Sequence, residues 1–146
     1  MDKNKYIIHT DGGSRGNPGP AAIGAVIETA NGSVKKEFGE YIGETTNNDA
    51  EYKAVIFALK KLKLLIGKEA TRMAVVEVRL DSELVERQLG GQYKIMDKNI
   101  QGLFLEIWNL KIDFGGITFK HIRREENQEA DRLVNAALDR ELNKLL

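Results

Sequence analysis

At 146 residues the chain falls in the range of one domain able to bury a sizeable core, and 22 Lys and Arg against 22 Asp and Glu leave a formal net charge of zero. That balance excludes a protein that clamps nucleic acid by bulk charge alone, so local clusters such as Lys60, Lys61 and Lys63 or Lys120, Arg123 and Arg124 are the candidates for such contacts. The absence of cysteine excludes a disulfide scaffold, thiol catalysis and a Cys-based zinc site, and no apolar run approaches the roughly 18 residues of a membrane span.

In chain order, strands are expected over Lys5 to Asp11, Ala22 to Thr29 and Val34 to Ile42, with Ala30-Asn31-Gly32-Ser33 turning between the second and third. Five of the 14 glycines lie between Gly12 and Gly24, and both prolines are at 18 and 20. Such a backbone bends tightly and lets a large partner come close. Asp11 is therefore expected at the tip of a hairpin, presented to a polymer rather than buried.

Thr45-Thr46-Asn47-Asn48-Asp49-Ala50-Glu51-Tyr52 runs into the apolar-periodic segment Ala54, Val55, Ala58, Leu59, Leu62, Leu65 and Ile66. This reads as a helix start with Glu51 in or near the first turn. The apolar strand Ala74 to Leu80 ends on Asp81, and Ser82-Glu83-Leu84-Val85 opens a second helix. Leu89 to Asn99 leads to an amphipathic helix through Leu103, Phe104, Ile107 and Leu110, among which Trp108 is expected to pack into the core. The strand Ile117-Thr118-Phe119-Lys120 ends at His121, and Asp131 stands at the front of the last helix. The pattern predicts an α/β fold over residues 1–146 as one domain, a five-stranded mixed sheet flanked by helices.

Four acids thus fall at element ends, where they can converge. Coulomb repulsion among converging carboxylates is prohibitive unless cations neutralise them. An all-oxygen cluster suits hard cations, Mg²⁺ or Mn²⁺, which leave coordination positions open for water and phosphate. The chemistry implied is metal-assisted phosphodiester hydrolysis.

Thr10-Asp11-Gly12-Gly13-Ser14 with Asn17-Pro18-Gly19-Pro20, then Thr46-Asn47-Asn48 with Glu51, then Leu80-Asp81-Ser82, then Asn127 with Ala130-Asp131, resembles type 1 ribonuclease H in order and spacing. The likeness runs from about Tyr6 to the last helix. It implies a ribonuclease H-like fold and a metal-binding quartet of Asp11, Glu51, Asp81 and Asp131. It also implies two divalent ions about 3.5–4 Å apart, and cleavage of the RNA strand of an RNA–DNA hybrid to 5′-phosphate and 3′-hydroxyl ends. Gly12, Ser14, Asn17, Asn47 and Asn48 match positions that read 2′-hydroxyls and base edges in the minor groove, and Thr46 matches one that helps hold a DNA-strand phosphate.

The asparagines make physical sense in that role, since an amide both donates to and accepts from a 2′-OH. Asn47-Asn48-Asp49 can equally cap the helix carrying Glu51, and the two roles can coexist. His121 falls where the family often has a histidine that assists proton transfer or product release. The Ile122-Arg123-Arg124-Glu125-Glu126 segment after it departs from the flexible glycine-containing loop of the best-known members. A strand-end histidine bonding nearby backbone remains the alternative, and His9 reads as structural. The short passage from Gln88 to Leu110 has no basic helix and loop, which matches the compact subtype and implies a grip resting on the turns around Gly12 and Asn47.

A catalytically silent nucleic-acid-binding module on the same fold is the alternative function, although all four acids are present. A sugar kinase or actin-like ATPase would need a second domain and shows no P-loop signature. Met1-Asp2-Lys3-Asn4-Lys5 begins no signal peptide, so a cytoplasmic monomer without a membrane partner is expected.

Overall fold

The computed structural model describes residues 4–145; the leader reading on Met1-Asp2-Lys3 lies outside them. Five strands form one sheet: β1 Lys5–Ser14, β2 Gly19–Thr29, β3 Lys35–Thr45, β4 Val75–Leu80 and β5 Gly116–His121, in the order β3-β2-β1-β4-β5. The first three pair antiparallel, while β1, β4 and β5 run parallel, so the sheet is mixed as expected. Helices α1 Asn47–Met73, α2 Glu83–Leu89, α3 Lys98–Ile112 and α4 Gln128–Lys144 flank it, and a single 3₁₀ turn, Arg124–Glu126, precedes α4. Among the described residues no helix is long and apolar enough to cross a membrane.

The main core lies between the sheet and the helices α1 and α3. Ile8, Val76, Val78 and Leu80 meet Val55, Leu59, Leu62, Ile107 and Leu110, all buried. The α1 residues recur at helical spacing and the β4 residues at alternate positions, so each element turns one apolar face inward. Gly67, at φ 84°, interrupts α1 five residues past its last core leucine, Leu62.

On the opposite side α4 packs Val134, Ala137 and Leu138 on Ala22. It lies close because two strand residues opposite it have no side chain. A Cβ at Gly24 would stand 2.3 Å from the Ala130 carbonyl oxygen, and one at Gly39 2.7 Å from that of Leu133.

Two expectations are corrected. β1 does not stop at Asp11: Gly12, Gly13 and Ser14 stay paired with Ile23, Ala22 and Ala21, and the turn closes later with the Arg15 N–H on the Pro20 carbonyl at 2.8 Å. Asp11 is therefore inside a strand and buried, at 8% exposure, not at a hairpin tip. Trp108 is not in the core. It is 53% exposed, one residue and so about 100° around α3 from the buried Ile107, where it tilts against Phe104 under the Lys111 ammonium.

Candidate active site

Parallel pairing brings the first two acids together. His9 of β1 lies beside Arg79 of β4, so two residues further on Asp11 stands next to Asp81, just past the end of β4. Glu51 joins from the second turn of α1, because the backbone of Gly12 admits that helix. A Cβ on Gly12 would fall 2.2 Å from the Ala50 carbonyl oxygen, and the Gly12 N–H instead donates to Glu51 Oε1 at 3.4 Å. Carboxylate oxygens of Asp11, Glu51 and Asp81 come within 4.8 Å of one another.

Without counter-ions this arrangement resists ionisation. Burial, then the neighbouring Asp81 charge, pushes the Asp11 carboxyl up to about 7. Burial and the charges of Asp11 and Asp81 hold Glu51 well above the usual carboxylate range. Glu51 Oε2 is buried with no hydrogen-bond partner, an unsatisfied acceptor within the acid cluster. A hard divalent cation meets both needs, so the residues present fit the ions the sequence implies.

The acids border a cleft of about 460 Å³ whose walls are Gly12, Gly13, Ser14, Arg15, Asn47, Asn48, Ser82, Arg124, Val134, Asn135 and Leu138. Asp131 lines the same cleft from α4 and its charge also raises Asp11, but it is exposed and outside the 4.8 Å cluster.

Ser14, Asn17 and Asn47 form a linked set. Asn47 Oδ1 accepts from the Ser14 N–H at 2.9 Å and from its hydroxyl at 3.2 Å, while Asn17 Oδ1 accepts from the Asn47 N–H at 3.0 Å. The helix cap is Thr46, whose hydroxyl oxygen accepts from the Asp49 N–H at 3.2 Å, and not the asparagines. Asn47 and Asn48 border the cleft, whereas Asn17 and Thr46 do not line it and instead accept from the Asn47 and Asp49 N–H groups.

His121 ends β5 opposite Leu80, exposed, and is not among the cleft-lining residues. His9 is partly buried on β1, where burial and then Arg79 lower its pKa. The α1 lysines serve elsewhere: Lys60 pairs with Glu106 and Lys63 with Asp113 beside a separate groove of about 680 Å³, and Lys61 covers the rings of Phe38 and Phe57.

Sequence reasoning gave no role to Asn127. Its side chain is buried and donates to the Thr10 carbonyl at 2.8 Å and to Asp81 Oδ2 at 3.0 Å, bracing one acid against the strand that carries another. Its signal was its place four residues before Asp131 in the last motif. Arg15 and Asn135 also escaped notice, as cleft walls joined by contacts of 3.4–3.5 Å.

Residues 9–137 match a family model described as reverse transcriptase-like. The chain is 33% identical over 158 aligned positions to a ribonuclease H of Paracidovorax citrulli, covering 97% of this chain and 99% of that one. It is 40% identical to ribonuclease HI of Halobacterium salinarum over 88% of this chain and 62% of that protein. A 40% identical protein of Mycobacterium tuberculosis, described as bifunctional, is matched over only 36% of its length, so the chain spans about a third to three-fifths of these two relatives. Among solved structures, it superposes on the compost-derived LC11-RNase H1 in complex with an RNA/DNA hybrid with a TM-score of 0.88 and 48% identity, covering 94% of this chain and 99% of that one.

Proposed function

The chain belongs to the type 1 ribonuclease H family, and from that membership and its acid cleft we propose that it hydrolyses the RNA strand of RNA–DNA hybrids, leaving 5′-phosphate and 3′-hydroxyl ends. The observation that carries the reading is the convergence of Asp11, Glu51 and Asp81 within 4.8 Å on the floor of an open cleft. The hybrid held by a 48% identical relative supports the substrate.

Asp11, Glu51, Asp81 and Asp131 would hold Mg²⁺ or Mn²⁺, two ions with substrate bound, which supply Lewis acidity for water attack and for departure of the 3′ oxygen. Asn127 keeps Asp81 oriented, and the bare Gly12 backbone keeps Glu51 within reach. Ser14 occupies the Asn47 oxygen, which turns the amide N–H₂ of Asn47 toward a 2′-OH of the RNA. Asn48 and the Gly12 backbone add contacts to the minor groove. Asn17 fixes Asn47, while Thr46 anchors the start of α1 beside a phosphate of the DNA strand. His121 stays outside the constellation because it does not border the cleft. This ribonuclease H-like domain would act in the cytoplasm as a monomer.

One gel tests this. Labelled hybrid, double-stranded RNA, double-stranded DNA and single strands are incubated with Mg²⁺, Mn²⁺ or EDTA. Cleavage of the hybrid's RNA strand with either ion and none with EDTA is expected; an intact hybrid under every condition would overturn the reading.

A further inference from the structure

We propose that Arg15 is a positioning residue for Asp131: from the turn after β1 its guanidinium latches α4 and holds the fourth acid at the edge of the cluster. The inference rests on the hybrid reading above, because it gives Asp131 a support in the metal site proposed there.

Asp131, Asn135 and Asp139 recur every four residues, so they form one stripe along α4 with about 6 Å between successive members. The first two border the acid cleft. Arg15 grips the last two: its Nη2 lies 2.8 Å from Asp139 Oδ1 and donates to the side-chain and backbone oxygens of Asn135 at 3.4 and 3.5 Å. The Asn135 amide in turn donates to the Asp131 carbonyl at 3.1 Å.

The arginine stands on a fixed base. Its N–H donates to the Pro20 carbonyl at 2.8 Å, and Gly19 covers its own carbonyl so closely that a Cβ there would be 2.2 Å from the oxygen. It directly follows β1, the strand that carries Asp11 four residues earlier. Asn127 reaches the same strand, at the Thr10 carbonyl, from four residues before Asp131. Asp131 therefore lies between two clamps to one strand.

Other contacts pull the helix the opposite way. Glu129 pairs with Lys35 at 2.6 Å and Arg132 with Glu37 at 3.0 Å, which ties α4 to β3, two strands from Asp11. The apolar contact of Val134, Ala137 and Leu138 with Ala22 sets how far α4 stands from the sheet, while the ion pairs set its roll. A carboxylate serves an ion only from a narrow range of positions. Without Arg15 the β3 pairs are unopposed beyond Asp131, and the acid rolls away from the other three. The Arg15–Asp139 pair is exposed, so it contributes little to stability and acts through geometry.

Arg15→Ala, Asp139→Ala, the double variant and Asp139→Glu decide the matter. Each is assayed on saturating hybrid across a Mg²⁺ series, with KM and melting temperature alongside, and amide hydrogen exchange in α4 is followed without metal. Either alanine variant should raise the Mg²⁺ concentration for half-maximal kcat roughly 10-fold, with KM within about threefold and the melting temperature nearly unchanged. The double variant should be no worse than either single one, exchange over residues 128–139 should quicken in all three, and Asp139→Glu should stay near wild type. A raised KM in Arg15→Ala that Asp139→Ala does not share would make Arg15 a substrate contact and overturn the latch. An unchanged Mg²⁺ requirement in Asp139→Ala, or a loss that follows a lowered melting temperature and persists in Asp139→Glu, would overturn it as well. A wild-type protein that leaves the hybrid intact would instead overturn the functional reading, and hydrogen exchange alone would then decide the latch.

Discussion

Asn127 and Asp81 are 46 positions apart in the chain, and the amide of the first holds the carboxylate of the second at 3.0 Å from a position 1% exposed. The same amide also reaches the Thr10 carbonyl, next to Asp11. One side chain therefore sets the separation of two acids.

Asn127→Ala should destabilise the protein by about 1–3 kcal/mol, since it strands a buried carbonyl and frees a carboxylate. It should also lower kcat by roughly 10- to 100-fold, because a misplaced group near the reacting atoms is costly. Thermal melts and single-turnover rates measured below the melting temperature separate the two effects. A variant that melts lower yet turns over normally would show that Asp81 holds its place unaided.

Asp11→Asn and Asp81→Asn should each abolish hybrid cleavage with the fold intact. The pH dependence of stability gives a second readout for Asp11, whose carboxyl rises from 3.8 to about 7 in the folded protein. In that interval the folded state holds a proton that the unfolded chain has released, so Asp11 stabilises the metal-free protein at about pH 4 and loses that contribution as pH rises through about 7. Melting curves in EDTA should fall more steeply with pH for wild type than for Asp11→Asn. Equal slopes would mean that the Asp11 proton is not linked to folding.

The Ser14–Asn47 contact predicts how selectivity changes. Asn47→Asp keeps the oxygen that Ser14 uses but removes the amide donor, so the melting temperature should hold within a few degrees while KM for hybrid rises several-fold. A duplex with one ribonucleotide among deoxynucleotides should resist the wild-type enzyme, because Asn47, Asn48 and the Gly12 backbone need successive 2′-hydroxyls. Efficient cutting at that isolated ribonucleotide would contradict the proposed contacts.

His121→Ala separates the two readings of that histidine. A proton relay would cost roughly 10- to 100-fold in kcat. From an exposed strand end outside the cleft, the expected result is kcat within about twofold and an unchanged melting temperature. A larger loss of kcat with normal stability would bring His121 into the mechanism.

The sheet, its helices and the acids at element ends were legible in the sequence because strand alternation, helix periodicity and capping are local signals. Glu51, Asp81 and Asp131 could be placed by that means alone. Asp11 was harder. Gly12 and Gly13 read as a bend, yet they remain extended because Ala21, Ala22 and Ile23 pair with them and α1 presses on Gly12. Ile107 and Trp108 are adjacent apolar residues, and periodicity did not decide which of them faces inward. Asn127 was opaque for a different reason: its partners, Thr10 and Asp81, lie 117 and 46 positions away and meet it only when the sheet has closed.

The closeness of α4 to the sheet has a consequence for the fourth acid. Asp131 follows Ala130, whose carbonyl nearly touches Gly24, and one helical turn on Leu133 sits as tightly over Gly39. A single methyl at either glycine would act as a shim, tilting the helix and carrying Asp131 away from a trio anchored on other elements. Under the proposed mechanism, then, ion affinity is tuned by two strand positions that never touch an ion, and sequence drift there would detune the enzyme with all four carboxylates still in place.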